Sequence, residues 1–414
     1  MSLIQESAPA GAATKGRHPS GRLGERVFDK RHSVLALVAS LFGLGGVACS
    51  TSMADQPASA DALAGNRTQV VESARISDMG WLIDRLADRR LIFVGESHDR
   101  YEDHLNQLAI IQGLVAKGKT LAIGMEFFQQ PYQQPLDDYV AGRIDELELL
   151  RRTQYFDRWR YDYRLYRPIL RYAREQGLPL IALNLPAELT RKVGEVGIAG
   201  LDAAERRSIP SEIDREDPAY RARLRRVFEH HPVSEQRNFE HFLEVQLLWD
   251  EGMAERAADY LKAHPDRTLV VLAGVGHLES GQGIPKRLLR RVQVPSAIVL
   301  SGSNRTLDPA DADYFLYPPA VELPPSGLLG IRLDDADPGE GVRVAGFGEG
   351  SGAKAAGMEE NDRILSIGGQ PIASYADIRI ALIDAEPGDR LPVEVLRQRL
   401  VGGDQRLNLQ VELH

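Results

Sequence analysis

Between residues 91 and 301 the chain repeatedly sets a short, nearly continuous apolar run before a longer stretch whose apolar residues recur every three or four positions. The runs are LIFVGE (91–96), LAIGMEF (121–127), PLIALN (179–184), TLVVLAGVGH (268–277) and AIVLS (297–301). Leu105, Leu108, Ile110, Ile111 and Val115 carry the helical spacing after the first run, and similar stretches fall near 135–150, 162–176, 235–263 and 284–291. Strands apolar along their whole length are buried on both faces, as in a parallel sheet covered by helices. The pattern therefore predicts an α/β domain over about 74–305, a mainly parallel sheet with helices on both faces.

The texture changes at 306–326, where Pro309, Pro318, Pro319, Pro324 and Pro325 crowd a stretch without helical period, which reads as a Pro-rich linker. Beyond it, LLGIRLDD, GVRVAGF, RILSIGG, RLPVEVLR and RLNLQVEL are short β-like pieces, with helical pieces at 353–356 and 375–384. A second, small and mostly β domain over 327–414 follows.

At the other end, the apolar run 34–48 follows Lys30 and Arg31 and is too short and too glycine-rich for a membrane-spanning helix. It reads as the core of a signal peptide of the lipoprotein type over 1–48, with Cys49 the residue to be lipidated. Residues 49–73, rich in Ala, Ser and Asp, would form a flexible tether. This predicts an exported, membrane-tethered lipoprotein facing the periplasm, on the outer membrane. Cys49 is the single cysteine, so no disulfide is available to the chain. With 50 Lys+Arg against 59 Asp+Glu the net charge is −9, and removal of residues 1–48 takes away more basic than acidic side chains. An acidic chain without a long basic run lacks the concentrated positive field that phosphate backbones need, which argues against nucleic acid as a partner.

Ligands of parallel α/β sheets bind beyond the carboxyl ends of the strands. There the first run carries Glu96 and His98, the second reaches Glu126, the third Asn184, and the fourth ends at His277. Imidazoles and carboxylates so gathered could ligate a divalent transition metal that activates water, or act without metal as general acid and base. On the helix near 235–263, Gln246, Asp250 and Glu251 read as a solvated face, and Phe242, Val245, Trp249 and Met253 as core. Between 155 and 174 lie Tyr155, Tyr161, Tyr163, Tyr166, Tyr172, Phe156 and Trp159, interleaved with arginines that include Arg167. This is either an amphipathic helix with an aromatic inner face or a wall for a porphyrin. Tyrosinate can ligate ferric iron, and arginine can pair with propionates.

Taken together, Gly95-Glu96-Ser97-His98, the Glu126 strand, the stretch Trp159 to Asn184, Gln246 to Asp250 with Met253-Ala254, and Gly274-Val275-Gly276-His277 resemble the ChaN family of the haem-binding uptake and Tiki superfamily. The resemblance implies haem binding at a dimer interface through a tyrosine, and a role in haem or iron uptake. Tyr166, followed by Arg167-Pro168, is the first candidate for that tyrosine, then Tyr161 and Tyr163, with Trp159 and Arg167 beside them. Superfamily members resembling metal-dependent peptidases imply the alternative, a hydrolase using Glu96, His98, Glu126 and His277. The C-terminal stretch resembles a PDZ domain, through Gly327-Leu328-Leu329-Gly330-Ile331, AKAAG (353–357), Asn361 to Ile364 and Ile367-Gly368-Gly369. That resemblance implies that Leu328, Leu329, Gly330 and Ile331 receive a partner peptide or protein C-terminus.

Overall fold

The computed structural model describes residues 71–230, 238–303, 305–334, 338–399 and 403–414. The apolar run 34–48, Cys49 and nearly all of the expected tether lie outside the described residues.

The apolar runs form strands β1 (Leu91–Glu96), β2 (Leu121–Gln129), β3 (Leu180–Asn184), β4 (Thr268–Gly274) and β5 (Ser296–Ser301). A sixth, β6 (Tyr314–Leu316), falls inside the stretch that reads as linker. Three residues are too few to show a period, yet they pair in parallel with Val299–Ser301. All six strands are parallel, in the order β3-β2-β4-β1-β5-β6.

Successive strand residues feed opposite layers, as the period of two requires. Ile92, Val94, Ile123 and Met125 join one apolar cluster, with Leu86, Ile110, Leu114, Leu149 and Ile169 from helices. Leu91, Phe93, Ala122, Val271 and Leu183 join the other, closed by Met253, Ala257 and Leu261 of the long helix Phe239–Ala263 and by Leu288.

The helical stretches break where local chemistry demands it. That near 135–150 is two helices, Gln133–Val140 and Glu146–Arg152, separated by Gly142 at φ +70° and restarted by Asp145, whose side chain accepts from Glu148 N. That near 162–176 is a short turn, Tyr163–Leu165, then the helix Arg167–Glu175 with Pro168 in its first turn. Strand β4 stops at Gly274, so that Val275–His277 coils as a turn rather than extending the strand. Two helices absent from the sequence reading, Ala187–Val196 and Pro218–Glu229, pack against the long helix.

The C-terminal region is an antiparallel sheet in the order β12-β11-β9-β8-β7, from β7 (Ile331–Asp334), β8 (Val342–Phe347), β9 (Arg363–Ile367), β11 (Arg390–Arg397) and β12 (Gln405–Glu412); β10 (Gln370–Pro371) pairs with β9. Val344, Ile364, Val393 and Val411 build its core with Ile378 and Leu382. No helix among the described residues is long and apolar enough to cross a membrane.

Candidate functional site

The carboxyl ends of β1, β2, β3 and β4 open into one cavity of about 300 Å³, which Glu96, His98, Glu126, Asn184 and His277 all line. Strand β4 lies between β1 and β2, so the ends bearing Glu96 and Glu126 flank Gly274. Gly274 keeps the approach close: a Cβ there would lie 2.8 Å from His98 Cε1 and 3.5 Å from Glu126 Oε2.

These side chains form two imidazole–carboxylate couples. His98 Nδ1 lies 2.6 Å from Glu96 Oε1. His277 Nδ1 lies 2.6 Å from Asp250 Oδ1, and Tyr220 donates its hydroxyl to the other Asp250 oxygen at 2.6 Å. Between the couples, Glu126 accepts the Gly274 N–H at 2.7 Å, and its other oxygen lies 3.4 Å from His277 Nε2. Burial opposes a charge on His277, but Glu126 and Asp250 on either side of the ring outweigh it and raise its pKa to about 10. Burial likewise opposes the Glu126 carboxylate, and His277 with His98 brings it down to about 2. His98 is also raised, burial being overcome by Glu96. The cluster is thus built to hold protons on imidazole beside carboxylate. Among the described residues no group of three or more His, Cys, Asp or Glu is arranged to hold a metal ion. Glu96 and Asp250 each turn an oxygen toward an imidazole Nδ1 instead.

Asp250 departs from the sequence reading: it is not on a solvated face but is 1% exposed, and Gln246 and Glu251 are buried with it. The signal was present, since Gln246 and Asp250 precede Ala254 and Ala257 on the buried stripe at spacings of three and four. Met253 is core, as its spacing indicates, whereas Trp249 lines the cavity with its ring edge-on to His277. Arg223 is also in the wall, donating to Gly276 O at 2.9 Å and Glu279 at 3.0 Å. Nothing in the sequence separates it from the neighbouring Arg221, Arg225 and Arg226.

The aromatic stretch divides between wall and core. Trp159 and Tyr161 line the cavity beside Arg158 and Arg160, with ring centroids 4.8 and 5.0 Å from that of His98. Tyr166 does not face the cavity. It is fully buried against His98, its ring tilted at centroid distances of 4.1 Å from Phe127 and 4.3 Å from His104, with its hydroxyl accepting from the Trp159 indole N–H at 3.1 Å and donating to His98 O at 3.4 Å. Burial, with Glu96 nearby, pushes its phenol well above the ordinary tyrosine value. Tyr163 is buried as well and donates to Glu146 at 2.9 Å, and Arg167 pairs with Glu146 at 2.7 Å, both away from the cavity. The plainer account of the stretch, an aromatic inner face, describes Tyr155, Tyr163 and Tyr166, while the cavity account describes Trp159 and Tyr161.

The family described as haem-binding uptake, Tiki superfamily, ChaN matches residues 82–288. The chain belongs to that family. A PDZ domain matches residues 327–413 of this ChaN-family chain. A solved structure described as cofacial haem binding to ChaN of Campylobacter jejuni is 17% identical, over 56% of this chain and 89% of that one, with a TM-score of 0.47. A serine endoprotease from Yersinia pestis is 26% identical over 21% of this chain and 28% of its own, with a TM-score of 0.18. Protein RETICULATA-RELATED 5, chloroplastic, of Arabidopsis thaliana is 25% identical over 253 residues, 52% of this chain. The match spans 31% of that protein's length.

In the PDZ domain of this ChaN-family chain, β7 is an edge strand and the residues before it form a loop. Gly327 N donates to Ala385 O at 2.8 Å, Leu328 and His414 exchange both backbone bonds, and Gly348 N donates to Gly330 O at 2.9 Å. Gly330 has φ +73°, and a Cβ there would lie 2.7 Å from Ser351 Cα, so the turn needs glycine. Leu329 is buried and Leu328 is half exposed at the rim. The residues Leu328 to Ile331 therefore stand together at the open edge of the sheet.

Proposed function

We propose that the strand-end cavity binds haem and that the PDZ domain recruits a protein C-terminus or peptide, the whole serving haem or iron uptake from a lipid anchor at Cys49 on the periplasmic side of the outer membrane. Family membership makes haem the ligand to test, and the make-up of the cavity wall carries the reading. Phe127, Trp159, Tyr161 and Trp249 offer flat apolar faces, and Arg158, Arg160 and Arg223 stand among them. Two buried donors in this wall, Gln246 Nε2 and Arg223 Nη2, have no hydrogen-bond partner among the described residues and suit an acceptor on a bound molecule. Haem supplies a ferric iron that takes a phenolate oxygen and two propionates that take arginine. Tyr161 is the phenol placed to serve, while Tyr166 holds the Trp159 indole.

The test is a haemin titration of Tyr161→Phe, Tyr163→Phe and Tyr166→Phe beside the parent chain. Tyr161→Phe is expected to abolish the phenolate-to-iron absorption band and weaken binding at least tenfold. Tyr163→Phe should bind as the parent does, and Tyr166→Phe should keep the band while losing about 1 kcal/mol of stability with its hydrogen bond. A band that survives Tyr161→Phe and vanishes with Tyr166→Phe would reverse the assignment. At the PDZ edge, backbone N–H groups receiving a carboxylate while a strand adds to β7 predict that a bound peptide loses affinity on C-terminal amidation.

The imidazole–carboxylate couples favour a second reading, hydrolysis, with the Glu126 carboxylate taking a proton from water and a protonated imidazole supplying one to the leaving group. Turnover of an activated ester that falls with His98→Ala and withstands a chelator would support its metal-free form. Stoichiometric divalent metal lost with His98→Ala would support the metal-dependent form.

A further inference from the structure

The segment Arg158 to Arg167 has two sides. On one, Arg158, Trp159, Arg160 and Tyr161 line the cavity, with Arg160 held at φ +70°, a conformation that a side chain with Cβ adopts at a cost. On the other, the same segment is held by the PDZ domain and the strap leading to it. Arg379 lies 3.5 Å from Asp162, and its guanidinium sits 5.1 Å from the centre of the Phe156 ring. Arg167 pairs with Asp384 at 2.5 Å. Arg164 donates to Pro324 O at 2.8 Å. Ile380 and Ile383, from the PDZ helix Tyr375–Ala381 and the turn after it, are buried in the apolar cluster of the α/β domain rather than in the PDZ core.

This joint runs on to the peptide site. Asp384 directly precedes Ala385, whose carbonyl accepts the Gly327 N–H at the root of the loop that presents Leu328 to Ile331. Glu386 closes over Gly327, where a Cβ would lie 2.6 Å from Glu386 O. Asp162, the residue that Arg379 approaches, caps the turn Tyr163–Leu165 by accepting from Arg164 N at 3.0 Å and adjoins Tyr161 in sequence. A continuous path of ion pairs, packed rings and backbone hydrogen bonds thus links the wall of one site to the floor of the other.

We propose that the PDZ domain is a regulatory partner of the cavity, with occupancy of the cavity and order in the carboxylate-binding loop coupled positively through the joint made by Arg379, Asp384, Asp162 and Arg167. This rests on haem as the cavity ligand but adds to it a reciprocal linkage between two sites. The sign follows from the geometry. Holding residues 158–162 against the PDZ domain keeps Trp159 and Tyr161 in the wall, and a ligand that needs that wall returns the favour by holding Asp384 and Ala385 in place.

The test compares the full chain with the double variant Arg379→Ala, Asp384→Ala, neither position lining the cavity. Amide hydrogen exchange without ligand should rise both in 158–166 and in 327–331 in the variant, and a change confined to 376–386 would overturn the joint. Haemin, the probe for the cavity, should slow exchange at 327–331 in the parent chain and not in the variant, and should bind the variant roughly fivefold more weakly. Unchanged exchange at 327–331 with haemin bound would overturn the coupling. Absence of any haemin spectrum in the parent would overturn the haem reading instead, and the ligand-free comparison would still decide the joint. Asp384→Glu, which retains the pair with Arg167, should behave as the parent.

Discussion

At the scale of single residues the site is a set of opposed pKa shifts. His277 ordinarily titrates at 6.5, and its neighbours move it to about 10 in the fold. A group raised on folding stabilises the protein fully below its unfolded pKa, and that stability is lost as pH rises through the folded value. The His277 contribution should therefore be complete below 6.5 and disappear between 6.5 and about 10. Glu126 works in the other sense. Lowered from 4.5 to about 2, it stabilises fully above 4.5 and ceases to do so as pH falls toward 2. Denaturant unfolding followed from pH 6 to 10 should show a falling limb that His277→Gln flattens. A limb equally steep in the variant would place the loss elsewhere. Sequence alone offered the positions of these residues at strand ends, because the end of a parallel strand is where a polar residue interrupts an apolar run. It could not offer the partners. Asp250 comes from a helix 27 residues before His277, and only the fold shows that it orients that ring.

Among the elements, the strands were the most legible and the connections the least. β1 to β5 announce themselves as apolar runs, but β6 is three residues long and derives its place from pairing with β5. The helix Pro218–Glu229 has arginines along much of its length and a weak apolar stripe, yet Tyr220 and Arg223 from it complete the cavity region. In the aromatic stretch the sequence showed the residue types, while the break at Tyr163–Leu165 decided which rings face the cavity. Two glycines test how these elements are set. Gly274→Ala should push His98 off its position against β4, costing about 1–3 kcal/mol as overpacking does and weakening ligand binding. Gly330→Ala should destabilise the PDZ loop by about 1–2 kcal/mol through its positive φ and abolish peptide binding, while haemin still binds, weakened by no more than the roughly fivefold coupling between the two sites. Equal thermal midpoints for Gly330→Ala and the parent would contradict the assigned backbone conformation.

On the scale of the whole molecule, a ChaN-family α/β domain and a PDZ domain share an apolar joint through Ile380 and Ile383. The sequence resemblance supplied both domains, but each is legible there only separately, because the residues that join them are ordinary helix residues in either one. The ChaN resemblance implies a ligand shared at a dimer interface; if the cavity seats haemin in that way, haemin is expected to raise the sedimentation coefficient to that of a two-fold dimer. An unchanged sedimentation coefficient at saturating haemin would confine the ligand to one copy. The central claim, that this cavity is a haem site, is tested most directly by absorbance titration of the full chain with haemin. The account predicts a saturable Soret shift at a fixed stoichiometry, lost with its phenolate band in Tyr161→Phe; a spectrum that stays that of free haemin at every ratio would contradict it.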